Sequence, residues 1–211
     1  MTRQLLATAT LTVALSALAL AQARRPASPP GTAATQVGGH YTNPPGADQP
    51  VYQGGKWIEI TYSRPIKRGR DLFGSGENYG KDLLLGAPVW RAGANVTTQL
   101  HTEVPLVING KTIAPGTYDL FIDLKPEHWT LIVSTWPVQT RYEPKNKDAI
   151  WGAFGYTPEH DVVRAPMTLT TLSMSIDELT WAFTDMTSNG GTLMIAWDKN
   201  MATVPFTVAG M

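Results

Sequence analysis

The chain has 211 residues, 17 Lys and Arg against 17 Asp and Glu for a formal net charge of +0, and no cysteine. Balanced charge argues against a general nucleic-acid or polyanion binder, which would show a strong basic excess. Without a thiol the fold cannot lean on disulfides, a cysteine nucleophile or a cysteine-linked lipid anchor, so stability must come from a packed core.

Taken in chain order, Arg3 stands before a run from Leu5 to Leu20 made only of Leu, Ala, Val, Thr and Ser, followed by Ala21-Gln22-Ala23 and then Arg24-Arg25-Pro26. A short positive start, an apolar core and small residues at a cleavage site describe a secretory signal peptide over residues 1–23, with cleavage after Ala21 or Ala23 fitting equally. The run is shorter than the roughly 20 residues a bilayer needs, so no stable membrane insertion is expected after cleavage. Cleavage would remove Arg3 and leave a net charge of minus one. The expected location is periplasmic or extracellular.

Residues 24–55 are rich in Pro, Gly, Ala and Thr, with Pro29-Pro30-Gly31 to Gly38-Gly39 echoed by Pro44-Pro45-Gly46 to Gly54-Gly55. So little apolar surface does not offset the entropy of ordering, and the segment reads as a flexible linker. Residues 56–211 read as one domain, and roughly 155 residues are ample for a single core.

That domain alternates apolar and polar residues between turn signals. Ile58, Ile60 and Tyr62 share one face of a first strand, with Trp57, Glu59 and Thr61 on the other. Strands follow over Val96–Thr102 and Pro105–Ile108, and Asn109-Gly110 is a hairpin signal. Pro115-Gly116 leads into Thr117–Asp123, and Trp129, Leu131 and Val133 continue the scheme. Four runs close the chain: Met167–Met174, Leu179–Met186, Thr192–Trp197 and Thr203–Val208. The pattern predicts an all-β antiparallel sandwich or jelly roll of about nine strands with little helix. One helical turn is expected at Lys81–Leu85. The capping-box match Ser175-Ile-Asp-Glu178 is read as a strand instead, because Leu179 to Phe183 alternates with period two.

Between Lys56 and Arg91 seven cations face four anions, whereas the chain beyond Arg91 carries seven against twelve. Internal pairing between the two parts is the plainer reading, and a local anion-attracting patch the sharper one. Arg64, Arg70, Arg91 and Arg164 each lie within two residues of a Pro, Gly or aromatic residue, where a planar guanidinium can be held rigidly and offer paired donors to a carboxylate or phosphate. Buried arginines must otherwise be paired inside the fold. Trp90, Trp136 and Trp151 adjoin Pro, Gly or charged residues in loops and are candidates for ligand contact, whereas Trp129, Trp181 and Trp197 fall on apolar faces.

His101 and Glu103 share a polar strand face with Thr97 and Gln99. Such a pair suits a metal half-site or acid/base work, with His128 or His160 and Asp161 as further ligands, but no His-x-His or His-Glu-x-x-His spacing supports a metal. A solvated strand face explains the same residues. No Gly-x-Ser-x-Gly elbow exists, and Ser75 between Gly74 and Gly76 lacks a strand-to-helix context. No cofactor is expected.

The motifs Tyr62-x-Arg64-Pro65-x-Lys67-x-Gly69-Arg70-x-x-Phe73-Gly74 and Trp90-Arg91-x-Gly93-Ala94-Asn95, closed by Thr97 or Thr98, carry a family resemblance. Gly116-Thr-Tyr118-x-Leu-Phe121, Trp129, Trp151-Gly152-x-x-x-Tyr156 and Asp161-Val-x-Arg164 extend it over nearly all of residues 57–208. In these the chain resembles a family of exported bacterial proteins known as domain of unknown function 2911. The resemblance implies a β-rich secreted domain and brings no activity. Val96 stands where an acid often follows the Asn in that family, and the connection from Gly74 to Trp90 is longer.

These readings converge on an exported, non-catalytic binding module for a small anionic or carbohydrate ligand of the cell envelope. Its expected contacts are Arg64, Arg70, Trp90, Arg91, Asn95, Asp161 and Arg164. The alternatives are a hydrolase using His101, Glu103 and Asp161, which requires the three to converge, and a structural or assembly module.

Overall fold

The computed structural model describes residues 26–210. The expected signal peptide lies outside these residues. The strands are β1 (Pro30–Val37), β2 (His40–Thr42), β3 (Val51–Gln53), β4 (Lys56–Ser63), β5 (Thr98–Thr102), β6 (Leu106–Ile108), β7 (Lys111–Ile113), β8 (Gly116–Leu124), β9 (Trp129–Ser134), β10 (Asp161–Thr187) and β11 (Gly190–Val208). A single helical turn, α1 (Lys81–Leu84), stands where expected. Nine strands pair in the order β1-β4-β5-β8-β9-β10-β11-β6-β7, every pairing antiparallel, and β2 with β3 forms a separate hairpin.

The fold is all-β, as the alternation predicts, and β10 makes it a sandwich. Residues 161–167 of β10 pair with β9 in the first layer, and residues 168–187 pair with β11 in the second. Register shifts between Thr171 and Ile176, and again before Thr180, let the strand bend from one layer into the other. The four C-terminal runs read from the sequence are therefore two long bulged strands.

Alternation places Ile58 and Ile60 of β4, Leu100 of β5, Leu120 and Ile122 of β8, and Leu131 and Val133 of β9 on one inner face, each 0% exposed. They pack in one cluster with Leu179 and Trp181 of β10 and Leu193, Ile195 and Trp197 of β11. Fully burying a side chain of this kind stabilises the fold by about 1.5–3 kcal/mol. The Asn109-Gly110 signal is met by a two-residue turn between β6 and β7, with φ of 48° and 71°, the doubly positive geometry that hairpins favour.

Two features depart from the sequence reading. The outer face of an antiparallel layer is expected to meet water, yet Phe121 of β8 and Ile132 of β9 are buried beneath Ala87, Val89, Ile150, Ala153 and Tyr156. The connection between β9 and β10 lies over that face.

Residues 30–37, read as part of a flexible linker, form β1 along the free edge of β4, in register from Pro30 opposite Ser63 to Val37 opposite Lys56. Backbone pairing supplies what the side chains lack, and Val37 is 1% exposed. A chain lacking residues 1–37 is expected to lose about 2 kcal/mol or more, the burial of Val37 alone accounting for that much. It should also aggregate through the bared β4 edge. Urea denaturation checks this, since a free tether would leave the midpoint unchanged.

Candidate functional site

The connection from β4 to β5 is anchored by aromatic packing. Trp90 is 1% exposed, and its backbone N–H and carbonyl both pair with Ile122 of β8 at 2.8 Å. Its indole stacks on Trp197 at 6.2 Å and meets Phe73 and Trp129 edge-on. Phe73 stacks on Trp129, whose indole N–H donates to the Tyr79 hydroxyl at 2.8 Å. Trp181 donates to the Ala92 carbonyl at 3.0 Å, which holds the loop from the other side.

Around this anchor opens a cleft of about 720 Å3. Arg91 forms one wall with Gly93, Ala94 and Asn95. Arg68, Arg70, Pro65 and Ile66 come from the loop after β4, Asp82, Leu83 and Leu85 from α1 and its end, Trp90 and Trp197 from the core, and Trp151 and Phe154 from the segment covering the first layer. Non-glycine residues in the left-handed region gather here: Arg68, Leu85, Ala92 and Asn95 have φ of 52°, 51°, 53° and 60°. Such strain costs of order 1–3 kcal/mol per residue and concentrates where a loop is shaped for a task.

Arg91 is 8% exposed. Its Nη1 donates to the Asn95 carbonyl at 2.6 Å, and its guanidinium lies 5.4 Å from the Phe154 ring centre. Gly152, with φ of 61°, lies so close that any side chain there would collide with the guanidinium. Among the described residues no carboxylate pairs with Arg91, and residues 1–25 contain no Asp or Glu. Burial holds its guanidinium below the usual arginine range, though arginine stays charged at neutral pH. Nε and Nη2 have no acceptor among the described residues, and Arg91 lines the cleft. Their N–H bonds lie side by side on one edge of the guanidinium, the fork that takes both oxygens of a carboxylate or two of a phosphate.

Of the residues singled out from the sequence, Arg70, Trp90, Arg91 and Asn95 line the cleft, and Arg64, Asp161 and Arg164 do not. Arg70 folds back on its own loop, with Nε donating to the Lys67 carbonyl at 2.9 Å and Nη2 to that of Ile66 at 2.8 Å. Arg64 pairs with Glu178 at 2.7 Å, and Lys67 pairs with Asp198. Arg164 donates to Asp161 at 2.8 Å and to the Tyr156 hydroxyl at 3.1 Å, while that hydroxyl donates to Asp161 at 2.6 Å. Burial, and then the Asp161 carboxylate, hold the Tyr156 phenol well above its usual range.

Arg68, Asp82, Leu83, Leu85 and Phe154 were not foreseen as cleft residues. Arg68-Gly69 carried a readable turn signal, but nothing local marks α1 or Phe154 as neighbours of Arg91.

The convergence required of His101, Glu103 and Asp161 does not occur. His101 Nδ1 meets the Thr117 hydroxyl at 3.1 Å, and Glu103 accepts the Trp57 backbone N–H at 2.8 Å. Two strands separate β5 from β10, and Asp161 is in line with Gln99, two residues from His101, so His101 and Asp161 stand at least about 14 Å apart. His160 packs its ring on Trp136 at 4.2 Å. No group of three or more His, Asp or Glu among the described residues is placed to hold a metal.

The fold and this cleft define an all-β sandwich domain with an arginine-walled, aromatic-floored opening between its loops. A model of the family described as "Protein of unknown function (DUF2911)" matches residues 45–206, and the chain belongs to that family. No curated protein and no solved structure matches it.

Away from the cleft, Asp119 of β8 is 5% exposed. Burial pushes its carboxyl up to about 7, against a hydrogen bond from Gln99 that pulls it down. Between about pH 4 and pH 7 the folded protein thus keeps a proton that the unfolded chain, with Asp near 3.9, has released, so stability falls as pH rises through that window. Asp119→Asn is expected to be about 2–4 kcal/mol more stable than the parent at pH 8 and nearly equal to it at pH 4. Urea titrations at the two pH values check the difference.

Proposed function

We propose that this chain is an exported, non-catalytic binding module of the cell envelope, and that its cleft takes a small organic anion on the free edge of Arg91. One observation carries the reading: a guanidinium withdrawn from water, with two parallel donors that meet no acceptor and no acid among the described residues. Burying an unpaired charge is costly, so natural folds pair such groups. An anionic ligand would supply the missing partner. The backbone supports this arrangement, because Gly152 leaves room for the guanidinium and the Asn95 carbonyl fixes its rotation.

Exposed Arg68 and Arg70 would attract an anion to the mouth but contribute little on their own in water. The cleft volume falls in the range of small-molecule sites. Export rests on the signal-like start of the chain, and no helix among the described residues is long and apolar enough to cross a membrane.

Thermal-shift measurements should show the purified chain stabilised by organic carboxylates and not by neutral sugars. At a ligand concentration one hundred times Kd the stabilisation is about 2.7 kcal/mol. Arg91→Ala should abolish the shift, and Gly152→Ala should weaken it at least tenfold by displacing the guanidinium. Unchanged responses in both variants would remove Arg91 from the site.

Expressed in a bacterial host, the full chain should appear outside the cytoplasm with Gln22 or Arg24 at its N-terminus. N-terminal sequencing of fractionated cells checks this, and an uncleaved cytoplasmic product would contradict export.

A further inference from the structure

Building on the anion reading of the Arg91 cleft, on which this step rests, we infer that the ligand is a monocarboxylate with an apolar body, aliphatic or aromatic. Inorganic phosphate and acidic sugars fit the same cleft less well.

Charge argues first. Among the described residues Arg91 is the one cleft cation withdrawn from water; Arg68 and Arg70 are exposed, and Asp82, which also lines the cleft, is an anion. One desolvated cation is matched by one negative charge. A phosphate dianion would carry its second charge into a site with no second buried cation, and like charge from Asp82 would oppose it. The open Nε and Nη2 edge offers two parallel donors, which is the spacing of a carboxylate.

The remaining walls describe the rest of the molecule. Leu83, Leu85, Ile66 and Phe154 present carbon, the indoles of Trp90 and Trp151 present a ring with a single N–H donor, and the side chains able to accept a hydrogen bond are Ser28, Asn95 and Asp82. Every sugar hydroxyl brings a donor and two acceptors, and each one left unpaired on entering the cleft costs free energy. Three accepting side chains are too few for the hydroxyl donors of a polyhydroxylated ring. Leu85 lines the cleft, is 64% exposed and holds φ of 51°, a backbone conformation that a bulky residue rarely adopts. An apolar ligand body would cover it. At about 720 Å3 the cleft far exceeds the size of acetate or phosphate.

Isothermal titration of the purified chain with acetate, hexanoate, octanoate, 2-naphthoate, inorganic phosphate, glucuronate and octanamide tests the inference. Octanoate or naphthoate should bind at least tenfold more tightly than acetate, phosphate and glucuronate. The stronger of the two identifies the body as chain or ring. From acetate to octanoate each methylene should raise affinity about two- to fourfold until the cleft is filled. Octanamide, of the same shape without the charge, should bind at least tenfold more weakly than octanoate. Leu85→Ser, at an exposed position where folding is insensitive, should lower octanoate affinity severalfold and leave acetate unchanged.

Glucuronate or phosphate binding as tightly as octanoate would overturn the apolar body while leaving the anion site standing. Octanamide binding as tightly as octanoate would overturn the anion site while leaving the apolar body standing, and no binding by any of the anions would overturn both.

Discussion

Trp90 is the point at which core and cleft are one structure. Its backbone continues the first layer through two hydrogen bonds to Ile122, and its indole is enclosed by Phe73, Trp129 and Trp197. A long connection between β4 and β5 would otherwise be free to move, since few backbone pairings hold it. Because Trp90 cannot shift without opening the core, the next residue inherits its position. Arg91 is therefore held by packing energy from large aromatic groups, not by an ion pair of its own. That separation of anchor from functional group is what leaves two guanidinium donors open.

The electrostatics of the chain divide along the same line. The basic segment before Trp90 meets the acidic C-terminal part in two pairs, Arg64 with Glu178 and Lys67 with Asp198. Arg164 and Asp161 close on each other with Tyr156 at the start of β10. The first two contacts tie the loop after β4 to β10 and β11, so that two of the seven cations in residues 56–91 are paired with the acidic part. Arg91 is the buried member of that segment without an acid, and the described residues give it a carbonyl and the face of Phe154.

Alternation made most strand positions readable, since Ile58, Ile60, Leu131 and Val133 can only be buried together if the chain is extended there. It failed where burial was not the cause of the strand. Pro30–Val37 has few apolar side chains and becomes β1 because β4 offers it a row of unpaired backbone groups. Alternation also broke β10 and β11 into four pieces, because their bulges shift which residues face inward. The burial of Phe121 and Ile132 depends on a connection roughly twenty to thirty-five residues away in sequence, and no local pattern announces such a cover.

Within the cleft, residue types and their crowding among Gly, Pro and Trp identified the loops around Arg70, Trp90, Arg91 and Asn95, because a planar cation beside rigid backbone is a local property. Composition and periodicity likewise determined an all-β domain without disulfides. Which arginine would lack a partner was decided by tertiary structure alone. Arg64, Arg91 and Arg164 look alike in sequence, and their fates differ because Glu178 and Asp161 reach two of them while Gly152, Asn95 and Phe154 enclose the third. Pairing is set by distances between segments that the chain brings together only on folding, and those distances are not written in local sequence.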